Sequence, residues 1–196
     1  MNFDQWRHYA RARLFQALKK DPQAAAAYHD ALRHNPRFAR ATSSLGYLHA
    51  KQEQFDQARH WFEKTTVIKP DDAIAHFNLG FVLDKLGQRE QAIDAFREAV
   101  RLDKKLDRAW FGLGLALASL GRHEEAIIAF QEVCTLESMN PHAWYCLGMA
   151  YHHAHDPGKV KEIIEHLFRF DPVMTRKLIR DAERADLAHL VQDLLV

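Results

Sequence analysis

Cysteine is almost missing from this 196-residue chain: there are two, Cys134 and Cys146, with no Cys-x-x-Cys spacing. That excludes a disulfide scaffold and fits a reducing compartment. Charge of one sign is also missing. The 27 Lys and Arg against 26 Asp and Glu leave a net charge of +1, without the basic excess that neutralises phosphates, so nucleic acid is not an expected partner. No apolar run approaches a membrane span, and the opening Met1 to Tyr9, MNFDQWRHY, has no apolar stretch behind its charges. The expectation is a cytoplasmic protein that does not insert into a membrane. There is no Gly-rich phosphate loop, nucleophile elbow or HExxH, so neither an enzyme nor a cofactor is expected.

What is present is periodic. Gly46, Gly80, Gly114 and Gly148 are each 34 residues apart. A Leu precedes each (Leu45, Leu79, Leu113, Leu147), an Ala follows twelve later (Ala58, Ala92, Ala126) and a Phe sixteen later (Phe62, Phe96, Phe130). Repetition at this period marks a repeat array whose core runs along a line. Each unit holds two amphipathic stretches, with Gly87 and Gly121 at the turn between them, where a helix end favours a residue tolerant of positive φ. Asn35-Pro36, Lys69-Pro70-Asp71-Asp72, Asn140-Pro141 and Asp171-Pro172 separate the units; they stop one helix and supply caps for the next. The recurring Gly and Ala let two antiparallel helices cross closely, with the Phe filling the space beside them.

The pattern resembles the tetratricopeptide repeat (TPR), Trp-x2-Leu-Gly-x2-Tyr, then Ala-x3-Phe, then Pro. Trp144, Leu147, Gly148 and Tyr151 carry the whole first-helix signature, and Trp110, Leu113 and Gly114 most of it; Ala58, Phe62 and Pro70, and Ala92, Phe96 and Ala99, carry the second. The resemblance implies an all-α, right-handed α–α superhelix of about five helical hairpins. As one domain over 1–196, the repeats fall at about 5–38, 39–72, 73–106, 107–140 and 141–174, with a C-terminal capping segment at 175–196. The first repeat departs at Ala12, where the glycine should be, and the fifth has bulkier residues at Val160, Ile164 and Leu167. In the cap, Leu178, Ile179, Ala182, Leu187, Leu190, Val191, Leu194 and Leu195 keep a helical spacing suited to covering the last apolar face. A self-inhibitory or dimerising helix is the alternative.

At 100° per residue, the first helix of each repeat divides into faces. Residues four and one before the glycine and three after it pack inside the repeat; the residue five before it, Ala41, Ala75, Ala109 or Ala143, faces a close neighbour. The remaining face, six and three before and one, four and five after, lines the concave, peptide-holding groove in the family. Here the resemblance places the partner groove at Tyr9, Arg13, Arg40, Tyr47, Ile74, Phe77, Phe81, Lys85, Arg108, Phe111, Leu115, His142, Tyr145 and Met149. These form an aromatic stripe with a partly basic edge, the residue types that dominate interface energetics. The competing account is that Phe77, Phe81 and Phe111 simply pack on one another. Some members clamp a partner's terminal carboxylates with Lys and Asn three before and one after the glycine. Ser43, Phe77, Phe111 and Tyr145, and Tyr47, Phe81, Leu115 and Met149, hold those places here. The clamp is absent, and an apolar or aromatic-containing peptide or helix is the expected ligand.

Three features have two readings each. Cys134 and Cys146 fall on neighbouring helices of adjacent repeats, as buried small hydrophobes or as a redox pair. His152, His153, His155 and Asp156 invite a metal, but the paired ligand spacing of a structural zinc site is not evident, and helix-end histidines are the plainer account; no metal is expected. Residues 1–40 carry eight Lys or Arg against three acids, a balance of +5 with −4 in the remainder. This is either a solvated surface or the basis of an acidic partner or head-to-tail self-association. The overall expectation is a non-enzymatic protein–protein adaptor or scaffold. The alternatives are a homo-oligomeric structural protein and a chaperone for a secretion or membrane-complex client.

Overall fold

A computed structural model of the chain describes residues 3–195, with side chains through Val191; Leu194 and Leu195 of the expected cap lie outside those described side chains. Within the described residues eleven α-helices follow one another, joined by short turns: α1 Phe3–Ala17, α2 Asp21–His34, α3 Ala39–Lys51, α4 Phe55–Ile68, α5 Ala73–Lys85, α6 Arg89–Leu102, α7 Asp107–Ser119, α8 His123–Leu136, α9 Pro141–His153, α10 Pro157–Phe168 and α11 Pro172–Asp181. A 3₁₀ segment, Ala185–Leu195, ends the described chain. Among the described residues there is no strand, and no helix is long and apolar enough to cross a membrane. The chain divides into two compact units, Met1–Asp103 with α1–α6 and Lys104–Val196 with α7–α11 and the 3₁₀ segment.

In the first unit α1 pairs with α2, α3 with α4 and α5 with α6, and each hairpin also packs on the next through α2 and α3, then α4 and α5. The glycines have the expected mechanical role. A Cβ built on Gly46 would lie 2.7 Å from the Phe62 ring, and one on Gly80 would lie 2.8 Å from Phe96. The small residues five before them, Ala41 and Ala75, are buried as well. In the second unit Gly114 meets Phe130 in the same way, but Gly148 meets Leu178 of α11 together with Ile163. Leu178 of α11 therefore takes the place of the missing aromatic.

The turn inside each hairpin also keeps the period. Lys19, Glu53, Gly87, Gly121 and His155 all have positive φ, between 56° and 75°, and they stand 34 residues apart. Only two are glycine, so three carry a Cβ in the left-handed region. Glu53→Gly is expected to stabilise the protein by about 0.5–1 kcal/mol, relief of the left-handed penalty offset in part by the entropy of glycine. Urea denaturation checks it, with Glu53→Ala as the control that gains nothing.

The caps follow the sequence except at one place. Side-chain oxygens of Asp72, Asn140 and Asp171 accept hydrogen bonds from the first backbone N–H groups of α5, α9 and α11. Asn35 does not cap α3. Its Oδ1 accepts from the Arg37 N–H at 3.0 Å, and the N-cap position is Phe38, which forms no side-chain cap bond. Phe38 is instead buried against Trp6 and Tyr9, with ring centroids 4.9 and 5.3 Å away.

Candidate functional site

The expected groove face in the first unit is built from α1, α3 and α5, and it has two layers. Tyr9 and Phe77 are half-buried, Tyr9 beside Tyr28 at 5.6 Å and Phe77 beside Phe96 at 6.1 Å. These rings brace the interior. Tyr47 (58% exposed), Ile74 and Phe81 (42%) form the outer layer, with Arg13, Arg40 and Lys85 exposed around them. The Arg40 guanidinium sits 5.2 Å from the Trp6 ring and the Lys85 ammonium 5.5 Å from Phe81, so both cations lie over aromatic faces. A cleft of about 420 Å³ opens here, lined by Arg13, Gln16, Ser43, Ser44, Tyr47 and Asn78. Its floor is more polar than an aromatic stripe.

In the second unit a cleft of about 480 Å³ gathers Arg108, Phe111, His142 and Tyr145 with Cys146 and Lys177. Phe111 is half-buried against Phe130 at 5.9 Å, while Leu115 is exposed and Met149 half-buried. Tyr145 is already engaged by α11. Its hydroxyl donates to Asp181 Oδ2 at 2.8 Å, and the Lys177 ammonium stands 4.3 Å from its ring. Burial, with the Asp181 carboxylate beside it, pushes the Tyr145 phenol up to about 12; Arg180 first and the Tyr145 hydroxyl second hold Asp181 below the usual carboxylate range. Helix α11 thus lies along one wall of this cleft.

A model of the Cilia and flagella-associated protein 70 middle TPR-like domain matches residues 49–169, and a tetratricopeptide repeat model matches residues 9–73. The chain belongs to the tetratricopeptide repeat family. No curated protein sequence matches it. Among solved structures, a MamA protein is 20% identical at a TM-score of 0.78, over 95% of this chain and 98% of that one. YrrB, described as a TPR protein with an unusual peptide-binding site, is 25% identical at a TM-score of 0.79, over 90% of each chain. PilF of Pseudomonas aeruginosa is 18% identical at a TM-score of 0.73, over 89% of this chain and 80% of that one. TPR proteins are in general non-enzymatic modules that bind other proteins or peptides.

In TPR terms, the structure adds one column of residues to the expected face. Ser44 and Asn78 line the first cleft and Cys146 the second, and all three stand two residues before a repeat glycine. At 100° per residue that column lies next to the one five after the glycine, so the sequence held the signal in the small or polar character of those positions. A further cleft, of about 670 Å³, opens between the second helices α2 and α4, lined by Leu32, Trp61, Val67 and Ile68.

Both cysteines are free, Cys134 buried and Cys146 half-buried. Burial pushes the Cys134 thiol up to about 12, with Cys146 adding to it, and the Cys146 thiol up to about 11. The neutral thiol is the unreactive form, so reactivity should rise with pH toward those values. Reaction of the native protein with a disulfide reagent near neutral pH is expected to be slower than that of the urea-unfolded chain by about 100-fold or more. Equal rates would contradict it. Among the described residues, no group of three or more His, Cys, Asp or Glu side chains is placed to hold a metal ion. His123 and His153 stack at 5.0 Å, with His152 5.2 Å from His153.

Proposed function

We propose that this TPR protein is an adaptor or scaffold whose first-helix face holds an apolar or aromatic-containing peptide or helix of a partner protein. The observation that carries this reading is the exposure of Tyr47, Ile74 and Phe81 on one face of the first unit, beside the cleft that Arg13 and Tyr47 line. Exposed apolar groups gathered on one face, rather than scattered singly, mark contact sites. The peptide-binding site in the description of YrrB, which is similar to this chain along 90% of its length, supports the same reading. The reading extends to the groove residues of the second unit, Arg108, Phe111, Leu115, His142, Tyr145 and Met149, and to a cytoplasmic setting.

The test is partner capture from source cells by wild-type protein beside Ile74→Arg/Phe81→Arg. These side chains are exposed, unlike Phe77 and Phe111, which brace Phe96 and Phe130, so the variant should retain its helical circular dichroism. Partners held by the wild type should be lost, with affinity falling by about 30-fold or more. Unchanged capture by a folded variant would move the contact off this face.

A further inference from the structure

In α3 the residues on the side away from Gly46, Ala41 and Leu48, are buried in one cluster with Ala24, Ala27, Tyr28 and Ala31 of α2, while Gly46 itself meets Phe62 of α4. Helix α5 repeats the arrangement. Val82 clusters with Ala58 and Phe62 of α4, and Gly80 meets Phe96 of α6. A first helix in this unit is therefore covered on two opposite sides, by its hairpin partner and by the helix before it.

In α1 the residues 34 before Ala41 and Leu48 are Arg7 and Leu14. At 100° per residue, Phe3 and, one residue past the end of α1, Leu18 fall on the same strip. All four are exposed, Phe3 to 79%, Leu14 to 60% and Leu18 to 56%. Ala12, on the opposite side, is fully buried. The strip keeps the register of a helix seat and the apolar Phe3, Leu14 and Leu18, with Arg7 where the other repeats have a buried alanine, and no described element covers it.

The charge around the strip says what kind of helix fits. Arg7, Arg11, Arg13, Lys19 and Lys20 surround it, with Asp4 as the one acid on the helix. Arg7 lies 3.4 Å from Asp4 and Arg11 2.9 Å from Asp30, but Asp30 is shared with Arg33 at 3.0 Å. A positive excess remains. A second copy pairing through its own α1 would bring these like charges together. We propose that the outer strip of α1 docks an acidic amphipathic helix of a partner protein, laid across α1 as α2 lies across α3. This contact is independent of the groove reading.

The chain supplies a probe. Helix α8 packs on α9 as the helix before it, and its sequence, HEEAIIAFQEVCTL, has three Glu and no Lys or Arg. A fluorescein-labelled peptide of that sequence, with Ser for Cys134 and a hydrocarbon staple to remove the cost of helix formation, is titrated with the full chain and followed by anisotropy. Saturable binding is expected, weakening by about tenfold or more with Leu14→Ser/Leu18→Ser and falling as salt rises from about 50 to about 500 mM. Phe81→Arg should leave it unchanged, and the same peptide with Lys for each Glu should not bind. No saturable binding to the wild type, or equal binding to Leu14→Ser/Leu18→Ser, overturns the proposal. So does a dimer in sedimentation velocity that Leu14→Ser abolishes, since a second copy would then cover the strip, or equal binding of the lysine peptide.

Discussion

Gly114→Ala is expected to destabilise the protein by about 1–3 kcal/mol, although the substitution adds a single methyl group and improves helix propensity. The added Cβ would lie 2.6 Å from Phe130 Cε1 and 2.8 Å from its Cδ1. Phe130 is almost fully buried, in an interior packed densely enough that the ring can yield only by displacing its own neighbours. One of those neighbours is Phe111, in edge contact at 5.9 Å, which also lines the cleft of the second unit. The strain is therefore passed toward the candidate site. Phe130→Leu alone should cost about 1 kcal/mol or more, but in the Gly114→Ala background it removes the clash. The double variant should be more stable than the sum of the single effects predicts, by about 0.5–3 kcal/mol. Urea denaturation of the four proteins measures this coupling. Strict additivity would mean that Gly114 is required for something other than the approach of Phe130.

That pairing was legible because it is a packing requirement. A close crossing needs a small residue on one helix and a ring on the other, and it writes the same two letters every 34 residues. The all-α class, the hairpins and the burial of Ala41, Ala75, Ala109 and Ala143 come from the same constraint. Single-copy solutions were less legible. Asn35-Pro36 looks like Asn140-Pro141, yet only Asn140 caps its helix, because Phe38 takes the corresponding place before α3 and is drawn into the contact with Trp6 and Tyr9. A local capping preference worth about 1 kcal/mol yields there to the burial of an aromatic ring, worth more.

The aromatic stripe of the sequence lies in two layers in the structure, since a 100° division of a helix assigns direction but not depth. Phe77 and Phe111 point the same way as Ser43 and Tyr145 in their own repeats, and they reach the interior only because Phe96 and Phe130 stand beneath them. Tyr47 and Phe81, one position after the glycine, remain exposed. The cap shows the same limit. Its apolar spacing announced that it would cover something, but Leu178 meeting Gly148 and Asp181 meeting Tyr145 depend on where α11 lies, and nothing periodic encodes that.

Leu178→Ala should therefore have an effect out of proportion to its place near the end of the described chain, a loss of about 2–5 kcal/mol. Leu178 is fully buried and fills the space that Gly148 leaves open, so the substitution leaves a cavity at the seat of α11. Thr175 and Ile179 are buried on the same helix, and the Tyr145–Asp181 hydrogen bond ties its far end to α9. Loosening the seat should break that tie, and hydrogen exchange in 172–181 should accelerate ahead of the rest of the second unit. Spectrophotometric titration supplies an independent reading. In the wild type the Tyr145 phenol is held up at about 12, so the native state keeps a proton that the unfolded chain releases nearer 10. Stability from this group is complete below about pH 10 and is lost as pH rises toward the folded value. In Leu178→Ala the phenol should ionise closer to its ordinary value, and that part of the alkaline loss should shrink. A variant that loses less than about 1 kcal/mol, or that titrates like the wild type, would show that α11 is held by something other than Leu178 and that the wall of the second cleft is set elsewhere.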